Sequence, residues 1–351
     1  MIDLFKVWSN KDEALRLMGD CMTRGYTGQG PMVDRFEEEL AQVLGVAPWQ
    51  VVTVNSGTSA IQLSLALCGI TAIEPHKPVG VSAQTCMAGA HAVQAQGGDL
   101  YWLEVDRLTG LTTDESIKPW MQAIVVTDLG GLVPNHFALR RAMGTRYIIQ
   151  DAAQNFTGTM YGDYVALSFQ SIKHLATGDG GAVIVRTSKD DADKARLMRW
   201  FGLDRKSSAD FRSQQNITLQ GYKFHMSDLD ASLGIANLPG AVAHVKASRE
   251  NARWYQANLP SGVLVPWQEE GTYWTYMILV ERRAEFMAYM AEKGIHTSPV
   301  QSIGTKHDLF PHDRLPGAEW YGARNVAIPS GWWVTDEERA YIADCVVAFE
   351  G

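Results

Sequence analysis

Apolar residues return every three or four positions over residues 32–44, MVDRFEEELAQVL, and predict an amphipathic helix. The period then shortens. Residues 50–54, QVVTV, read as a strand, and the apolar run 58–69 reads as a helix. The exchange repeats with a short strand at 78–82 (PVGVS), a helix at 86–96, strands at 99–105 and 122–127, a helix at 135–143 and a strand at 146–150. Strands alternating with helices predict an α/β domain whose mostly parallel sheet is covered on both faces. Farther along the rhythm changes. Strands at 165–169 and 181–186 flank a glycine-rich turn with little room for a helix, which predicts an antiparallel hairpin inside the sheet. A charged amphipathic helix at 189–200 precedes a polar, irregular stretch at 204–224. A long helical pattern covers 226–257, with a break expected at Pro239-Gly240. Beyond 263, a strand at 273–280 and helices at 284–293 and 337–349 predict a smaller α+β domain. The expected division is a large α/β domain over 1–240 and a small C-terminal domain over 241–351, with the boundary between 235 and 245.

A length of 351 residues suits that two-domain plan better than one small core. Composition adds mainly exclusions. Apolar residues make up 46% and charged residues 20%, ordinary for a globular protein. A net charge of −8 with no basic block argues against nucleic-acid binding, although a small phosphate site needs only a few donors. Cysteines 21, 68, 86 and 345 form no C-x-x-C pair and no metal spacing with histidine, so they read as free thiols in a reducing compartment. The nine histidines make no H-E-x-x-H, and no metal is expected. The opening MIDLFKVWSNKDEALR has no long apolar run behind a basic patch, and the longest apolar stretches are strand-sized. Neither a signal peptide nor a membrane span is expected, and the cytoplasm is the expected location.

Three segments carry candidate chemistry. Asn55-Ser56-Gly57-Thr58-Ser59-Ala60 follows a strand and opens an apolar helix. First-turn N–H groups and the helix dipole favour an anion such as phosphate, Gly57 permits close approach, and the hydroxyls add donors. The same residues also make an ordinary N-cap. The chain has no GxxxxGK followed by Ser or Thr and no GxGxxG, so a nucleoside triphosphatase or a Rossmann dehydrogenase lacks its fingerprint. In the second segment, Tyr147-Ile148-Ile149-Gln150-Asp151-Ala152-Ala153-Gln154, a carboxylate ends a strand where open α/β sheets gather ligands. Asp151 can pair there with a cation such as a protonated pyridine nitrogen, or simply cap a helix. The third segment is Ser168-Phe169-Gln170-Ser171-Ile172-Lys173-His174-Leu175, followed by Thr177-Gly178-Asp179-Gly180-Gly181. It sets a lysine in a weakly charged turn between apolar strands. With a lowered pKa such an amine attacks an aldehyde, while a single lysine is more often a surface charge.

In order and approximate spacing, these segments resemble the pyridoxal-phosphate (PLP)-dependent NDP-sugar aminotransferases of the DegT–StrS group, fold type I of the aspartate-aminotransferase superfamily. The resemblance runs over most of the chain. Gly28-Gln29-Gly30-Pro31 with Phe36-Glu37 is similar to that family's G-P…F-E segment, and Ser56-Gly57-Thr58 to its phosphate loop. Asp151-Ala152-Ala153-Gln154 is similar to its D-A-A-Q/H, and Ser168-Phe169, Lys173 and Gly178-Asp179-Gly180-Gly181 to its S-F-x-x-x-K…G-E-G-G. Gly221-Tyr222, Met226, Ala231 and Gly234 follow its G-Y-N-x-R-M…A…G. The resemblance implies a large domain with a mostly parallel, seven-stranded mixed sheet, a small C-terminal α+β domain, and pyridoxal 5′-phosphate as cofactor. It implies that Lys173 is catalytic, holding the cofactor as an internal aldimine and then moving the proton. Asp151 would pair with the pyridine nitrogen, Gln154 would lie near the phenolic oxygen, and Ser56, Gly57, Thr58 and Ser168 would bind the phosphate. The implied reaction passes an amino group, from glutamate, to a nucleotide-linked keto-deoxysugar in ping-pong order. The implied assembly is a homodimer with shared active sites, in which the 221–226 segment with Lys223 reaches the partner's cofactor.

Some positions depart from the pattern. Lys223 and His225 stand where the family usually has Asn and Arg, and Lys223 would meet a phosphate as a point charge. Together with Phe201-Gly202-Leu203-Asp204-Arg205 this reads as a subgroup trait. Gln84-Thr85-Cys86-Met87-Ala88 offers no aromatic to stack on the cofactor ring. Pro299-Val300-Gln301-Ser302, with Lys306-His307-Asp308 beyond, replaces a segment common in the family's sugar site, which leaves open another keto substrate such as a modified nucleoside or a cyclitol. Sugar-dehydratase relatives carry His at the lysine position, where this chain has Lys173 followed by His174. A non-catalytic PLP-binding regulator is opposed by intact Lys173, Asp151 and Gln154. Trp332-Trp333 reads as packing, His307-Asp308 as a loop pair, and Arg249 with Arg253 as a solvated helix face.

Overall fold

The structure is a computed structural model, and it describes all residues except 206, 208–212 and 351. Seven strands form one sheet: β1 (Val51–Val54), β2 (Pro78–Ser82), β3 (Asp99–Leu103), β4 (Ala123–Thr127), β5 (Tyr147–Asp151), β6 (Tyr164–Ser168) and β7 (Gly181–Val185). Their order across the sheet is β1-β7-β6-β5-β4-β2-β3. Neighbours β3, β2, β4, β5 and β6 run parallel, while β7 is antiparallel to both β6 and β1. The expected hairpin inside the sheet is therefore present. Because β7 opposes both its neighbours, β1 points the same way as β6. The C-terminal ends of β1, β6, β5, β4 and β2 thus share one edge.

Alternation along each strand sends successive side chains to opposite faces. Val52, Val54, Ala123, Val125, Ile149, Tyr164, Ala166, Val183 and Val185 pack with α3 (Gly57–Leu67), α4 (Ala88–Ala95) and α6 (Lys189–Met198). On the other face, Val51, Val165, Leu167, Ala182 and Ile184 meet α1 (Lys11–Thr23), α2 (Pro31–Leu44) and the first half of α7 (Asp228–Asn258). Ile124, Val126 and Ile148 meet α5 (His136–Met143). Helix starts are chemically marked: Pro31 opens α2, Ser56 caps α3, and Ser227 with Asp230 closes a capping box on α7.

Glu37 and Arg199 join α2 to the end of α6 across β1. The carboxylate lies 2.6 Å from the guanidinium and accepts from the Thr53 N–H and hydroxyl, each at 2.9 Å. Burial works to raise the Glu37 pKa, but Arg199, Arg196 and the Thr53 N–H outweigh it and leave the group below its ordinary value.

A second core holds β8 (Tyr276–Leu279), antiparallel to β9 (Asn325–Ile328), with α8 (Arg283–Glu292), α9 (Pro316–Arg324) and α10 (Asp336–Glu350). Leu4, the later α7 residues Ala252 and Tyr255, and Leu259 just beyond the helix join it. The break expected at Pro239-Gly240 is absent, and α7 runs unbroken from Asp228 to Asn258. Pro239 removes one backbone donor, but packing on two cores holds the helix together. Gly240 is there for close approach, since a β-carbon on it would stand 2.4 Å from the Trp8 ring. The periodicity also leaves out α1, α9 and β9.

Candidate active site

The shared sheet edge gathers the three sequence segments. Ser56-Gly57-Thr58 follows β1, Ser168 ends β6, Asp151 ends β5, and Thr127 ends β4. Gly181, the first residue of β7, sits between Val54 and Ser168 in the ladder. Two glycines allow the close fit. A β-carbon on Gly57 would stand 2.7 Å from Ser168 Cβ, and one on Gly181 would stand 2.6 Å from the Ser56 carbonyl carbon and oxygen. The Ser168 hydroxyl therefore approaches the first turn of α3, where the Gly57 and Thr58 N–H groups have no intrahelical partner. Ser56 also serves as an ordinary cap, accepting from the Ser59 N–H at 3.0 Å.

Asp151 is buried, 3% exposed. Its Oδ1 accepts from the Ala153 N–H at 3.1 Å, and its Oδ2 lies 3.5 Å from the Thr127 hydroxyl, itself 2.6 Å from that of Thr85. Burial raises the carboxyl pKa, opposed by the Ala153 N–H and the Lys173 charge. Gln154 is fixed by its side-chain oxygen, which accepts from the Gly130 N–H at 2.7 Å.

Lys173 sits in the β6–β7 turn, held by its own N–H to the Gln170 carbonyl at 2.8 Å and by the Ser171 N–H to the Gly178 carbonyl at 3.1 Å. Desolvation lowers its pKa to about 8, against the pull of Asp151 and Cys86 toward the charged form. At that value about a tenth of the amine is neutral near pH 7, far more than for an ordinary lysine, and able to act as nucleophile or base. Its Nζ lies 3.6 Å from the centre of the Trp274 ring. His174 is turned away toward the Ser248 hydroxyl at 3.4 Å, and burial, His244 and Lys173 lower its pKa to about 3. It is a neutral packing residue.

Lys223 touches this group through its backbone, its carbonyl accepting from the Asn55 side-chain amide at 3.4 Å. It is exposed, and its ammonium rests 3.7 Å from the centre of the Trp200 ring. Its segment is further tied to the phosphate-loop candidate, because the Asn55 backbone N–H donates to the Phe224 carbonyl at 2.7 Å. The 299–303 segment comes beside the end of β2, where the Gln84 side chain donates to the Gln301 carbonyl at 2.9 Å. The His307 ring bonds the Ser302 hydroxyl at 2.9 Å. Trp332 stacks on His244 at 4.7 Å, in keeping with packing. Arg249 and Arg253 lie on α7 and both reach Glu269.

Two residues escaped the sequence reading. Trp274 lies 101 positions beyond Lys173 and carries no local signal. Asp128, completely buried after β4, accepts from Gln150 at 2.6 Å, Asn155 at 2.7 Å and Tyr161 at 2.8 Å. It thereby pins the loop that carries Gln154. Burial raises its pKa to about 7 despite those three donors. The signal was available, since the run QAIVVTD ends a strand in a carboxylate just as the Asp151 segment does. Cysteines 21, 68, 86 and 345 are free thiols. No helix among the described residues is long and apolar enough to cross a membrane.

A half-buried lysine, a buried carboxylate and a helix N-terminus meet at one strand edge, where an aldehyde, a cation and an anion can each find a partner. The chain belongs to the DegT/DnrJ/EryC1/StrS aminotransferase family, whose profile matches residues 9–347. It is 28% identical to the dTDP-4-dehydro-2,3,6-trideoxy-D-glucose 4-aminotransferase of Saccharopolyspora spinosa, covering 95% of this chain and 92% of that protein. It is 26% identical to the GDP-perosamine synthase of Escherichia coli O157:H7, over 92% and 91% of the two chains. Among solved structures, AtS13 from Actinomadura melliaura is 31% identical with a TM-score of 0.92, covering 99% of this chain and 98% of that one. The sugar aminotransferase CalS13 from Micromonospora echinospora is 27% identical with a TM-score of 0.91, covering 99% and 100%. The fold is that of the type I PLP-dependent transferases, and the protein is a PLP-dependent aminotransferase.

The residues fit that cofactor. The Gly57–Ser168 contact makes a cradle that a side chain at position 57 would fill, as a bound phosphate requires. The buried Asp151 carboxyl, its pKa raised by desolvation, forms no ion pair within 4 Å among the described residues and suits a pyridinium nitrogen.

Proposed function

We propose that the protein transfers an amino group from glutamate to the keto carbon of a nucleotide-linked deoxysugar, with Lys173 as the catalytic residue. The observation that carries this reading is the Lys173 amine, lowered to about 8, at the same strand edge as the buried Asp151. The functions in the names of the relatives from S. spinosa and E. coli O157:H7 support the substrate class. PLP, when bound, supplies an aldehyde for the amine and a ring that withdraws electrons.

Each residue has a task in this reading. Lys173 holds the cofactor and, once released, moves a proton at the substrate carbon. Asp151 keeps the pyridine nitrogen protonated. Gln154, fixed through Gly130, presents its remaining amide donors toward the ring's phenolic oxygen. The Gly57 and Thr58 N–H groups with the Ser56 and Ser168 hydroxyls bind the phosphate. Lys223 serves the partner's site in a homodimer with shared active sites, and the protein works in the cytoplasm. Donor and acceptor use one site in turn, which gives ping-pong kinetics.

A second reading keeps this chemistry on another keto substrate, such as a cyclitol or a modified nucleoside. It is favoured by Pro299-Val300-Gln301-Ser302, which stands in place of the usual sugar-site segment and is anchored to Gln84. The test is transfer of ¹⁵N from labelled glutamate to dTDP- and GDP-linked 4-keto-6-deoxysugars, followed by mass spectrometry. Labelled amino sugar is expected with at least one of them. Label reaching only a cyclitol or nucleoside ketone would establish the second reading, and no transfer to any ketone would overturn both.

A further inference from the structure

Trp274 leads into β8 and is buried, 6% exposed. Its indole N–H donates to the Ile172 carbonyl at 2.9 Å, so the ring is tied to the residue next to Lys173. Phe5, from the N-terminal segment, stacks on it with ring centres 4.9 Å apart and planes 22° apart. The Lys173 Nζ lies 3.6 Å from the centre of the indole. The indole is thus held by a hydrogen bond and a stacked ring, and its π face is in contact with the amine.

A tryptophan face attracts a cation and offers much less to a neutral amine. The contact therefore favours protonated Lys173, against the desolvation that lowers its pKa. It also gives the ammonium a place to rest other than Asp151, whose oxygens are met by the Ala153 N–H and the Thr127 hydroxyl. An ammonium drawn fully onto Asp151 would compete with the pyridine nitrogen for that carboxylate.

We propose that Trp274 is a positioning residue that seats the Lys173 ammonium whenever that amine is not covalently engaged. The seat holds the free amine in one place until it gives up its proton to act as base, and leaves Asp151 for the cofactor ring. This rests on Lys173 being the cofactor lysine, as proposed above.

The test uses cofactor-free full-length protein. The rate of Lys173 acetylation by acetic anhydride is followed against pH by peptide mass spectrometry, which yields the amine pKa. Trp274→Leu and Trp274→Met delete the ring, while Trp274→Phe keeps a smaller aromatic face. The amine pKa is expected to fall by about one unit in whichever ring-deleting variants fold, and to lie between those values and wild type in Trp274→Phe, whose face is the weaker one. A pKa at or above the wild-type value in Trp274→Leu or Trp274→Met overturns the seat, and so does a Trp274→Phe value equal to theirs. Failure of both ring-deleting variants to fold, with a Trp274→Phe value unchanged from wild type, overturns it as well. Borohydride fixation of PLP-saturated wild-type protein separates the two assignments. Label on another lysine defeats the cofactor assignment itself. Label on Lys173 with an unmoved pKa defeats only the seat.

Discussion

Gly57→Ala tests the phosphate cradle most directly. The new methyl would stand 2.7 Å from Ser168 Cβ, 3.1 Å from its Oγ and 3.3 Å from its Cα. The first of these is about 0.7 Å short of ordinary van der Waals contact. Ser168 cannot swing aside, because the close atoms are its Cβ and backbone, and its strand is registered against Gly181. The start of α3 must therefore move away from β6. Overpacking of this kind costs about 1–3 kcal/mol of stability. The functional loss is separate. Moving the α3 amides relative to the Ser168 hydroxyl weakens one charge-assisted hydrogen bond, worth about 1.5–3 kcal/mol, to the cofactor phosphate. At 1.4 kcal/mol per tenfold, PLP binding should weaken by roughly 10- to 150-fold. The assay is fluorescence titration of cofactor-free protein with PLP, paired with urea unfolding to measure the stability term. Gly19→Ala on α1 is the control, because nothing lies within 4 Å of its β-carbon position. It should gain about 0.5–1 kcal/mol of stability and leave PLP affinity untouched. If Gly57→Ala loses stability yet binds PLP within twofold of wild type, the cradle is a packing contact and the phosphate lies elsewhere.

Other outcomes follow from the same geometry. Lys173→Ala should abolish borohydride-fixed cofactor and cut amino transfer by roughly 100- to 10,000-fold; retention of fixed cofactor at another residue would refute the assignment. Glu37→Gln leaves the buried Arg199 charge without its carboxylate and should cost about 3–5 kcal/mol in denaturant unfolding. Because the folded Glu37 pKa is depressed, the wild-type advantage is present above the unfolded pKa and shrinks as pH falls through the folded one. A difference that stays constant into acid contradicts the ion pair. Asp128 has the opposite sign: its folded pKa is raised to about 7, so its contribution is present in acid and is lost as pH rises through about 7. Unfolding free energy of the cofactor-free protein should fall across that window, and Asp128→Asn should flatten the fall. Superimposable wild-type and Asp128→Asn profiles would rule the carboxyl out as its source.

Much of the fold was legible because burial on both faces leaves a simple mark. The strands 78–82 and 181–185 are short apolar runs bounded by Pro, Gly or polar residues, and the structure places them within a residue of the expected ends. The breaker reading failed at Pro239-Gly240 because it scores local backbone preference, and two tertiary cores outweigh one lost hydrogen bond in α7. The strand 325–328 was missed because NVAI is only four residues long and directly follows α9 with no turn between them.

By itself the sequence determined the order of the elements and the residue types at the strand ends: a hydroxyl and glycine at 56–58, a carboxylate at 151 and a lysine at 173. Local chemistry sets these, through propensity, capping and the period of apolar residues. Only the tertiary structure decided which of them meet. Reversal of β7 turns β1 parallel to β6, and that one inversion brings the α3 amides to Ser168. Chain crossings likewise bring Trp274 onto Lys173 and seat Lys223 on Trp200, contacts between residues too far apart in the chain for any local pattern to encode.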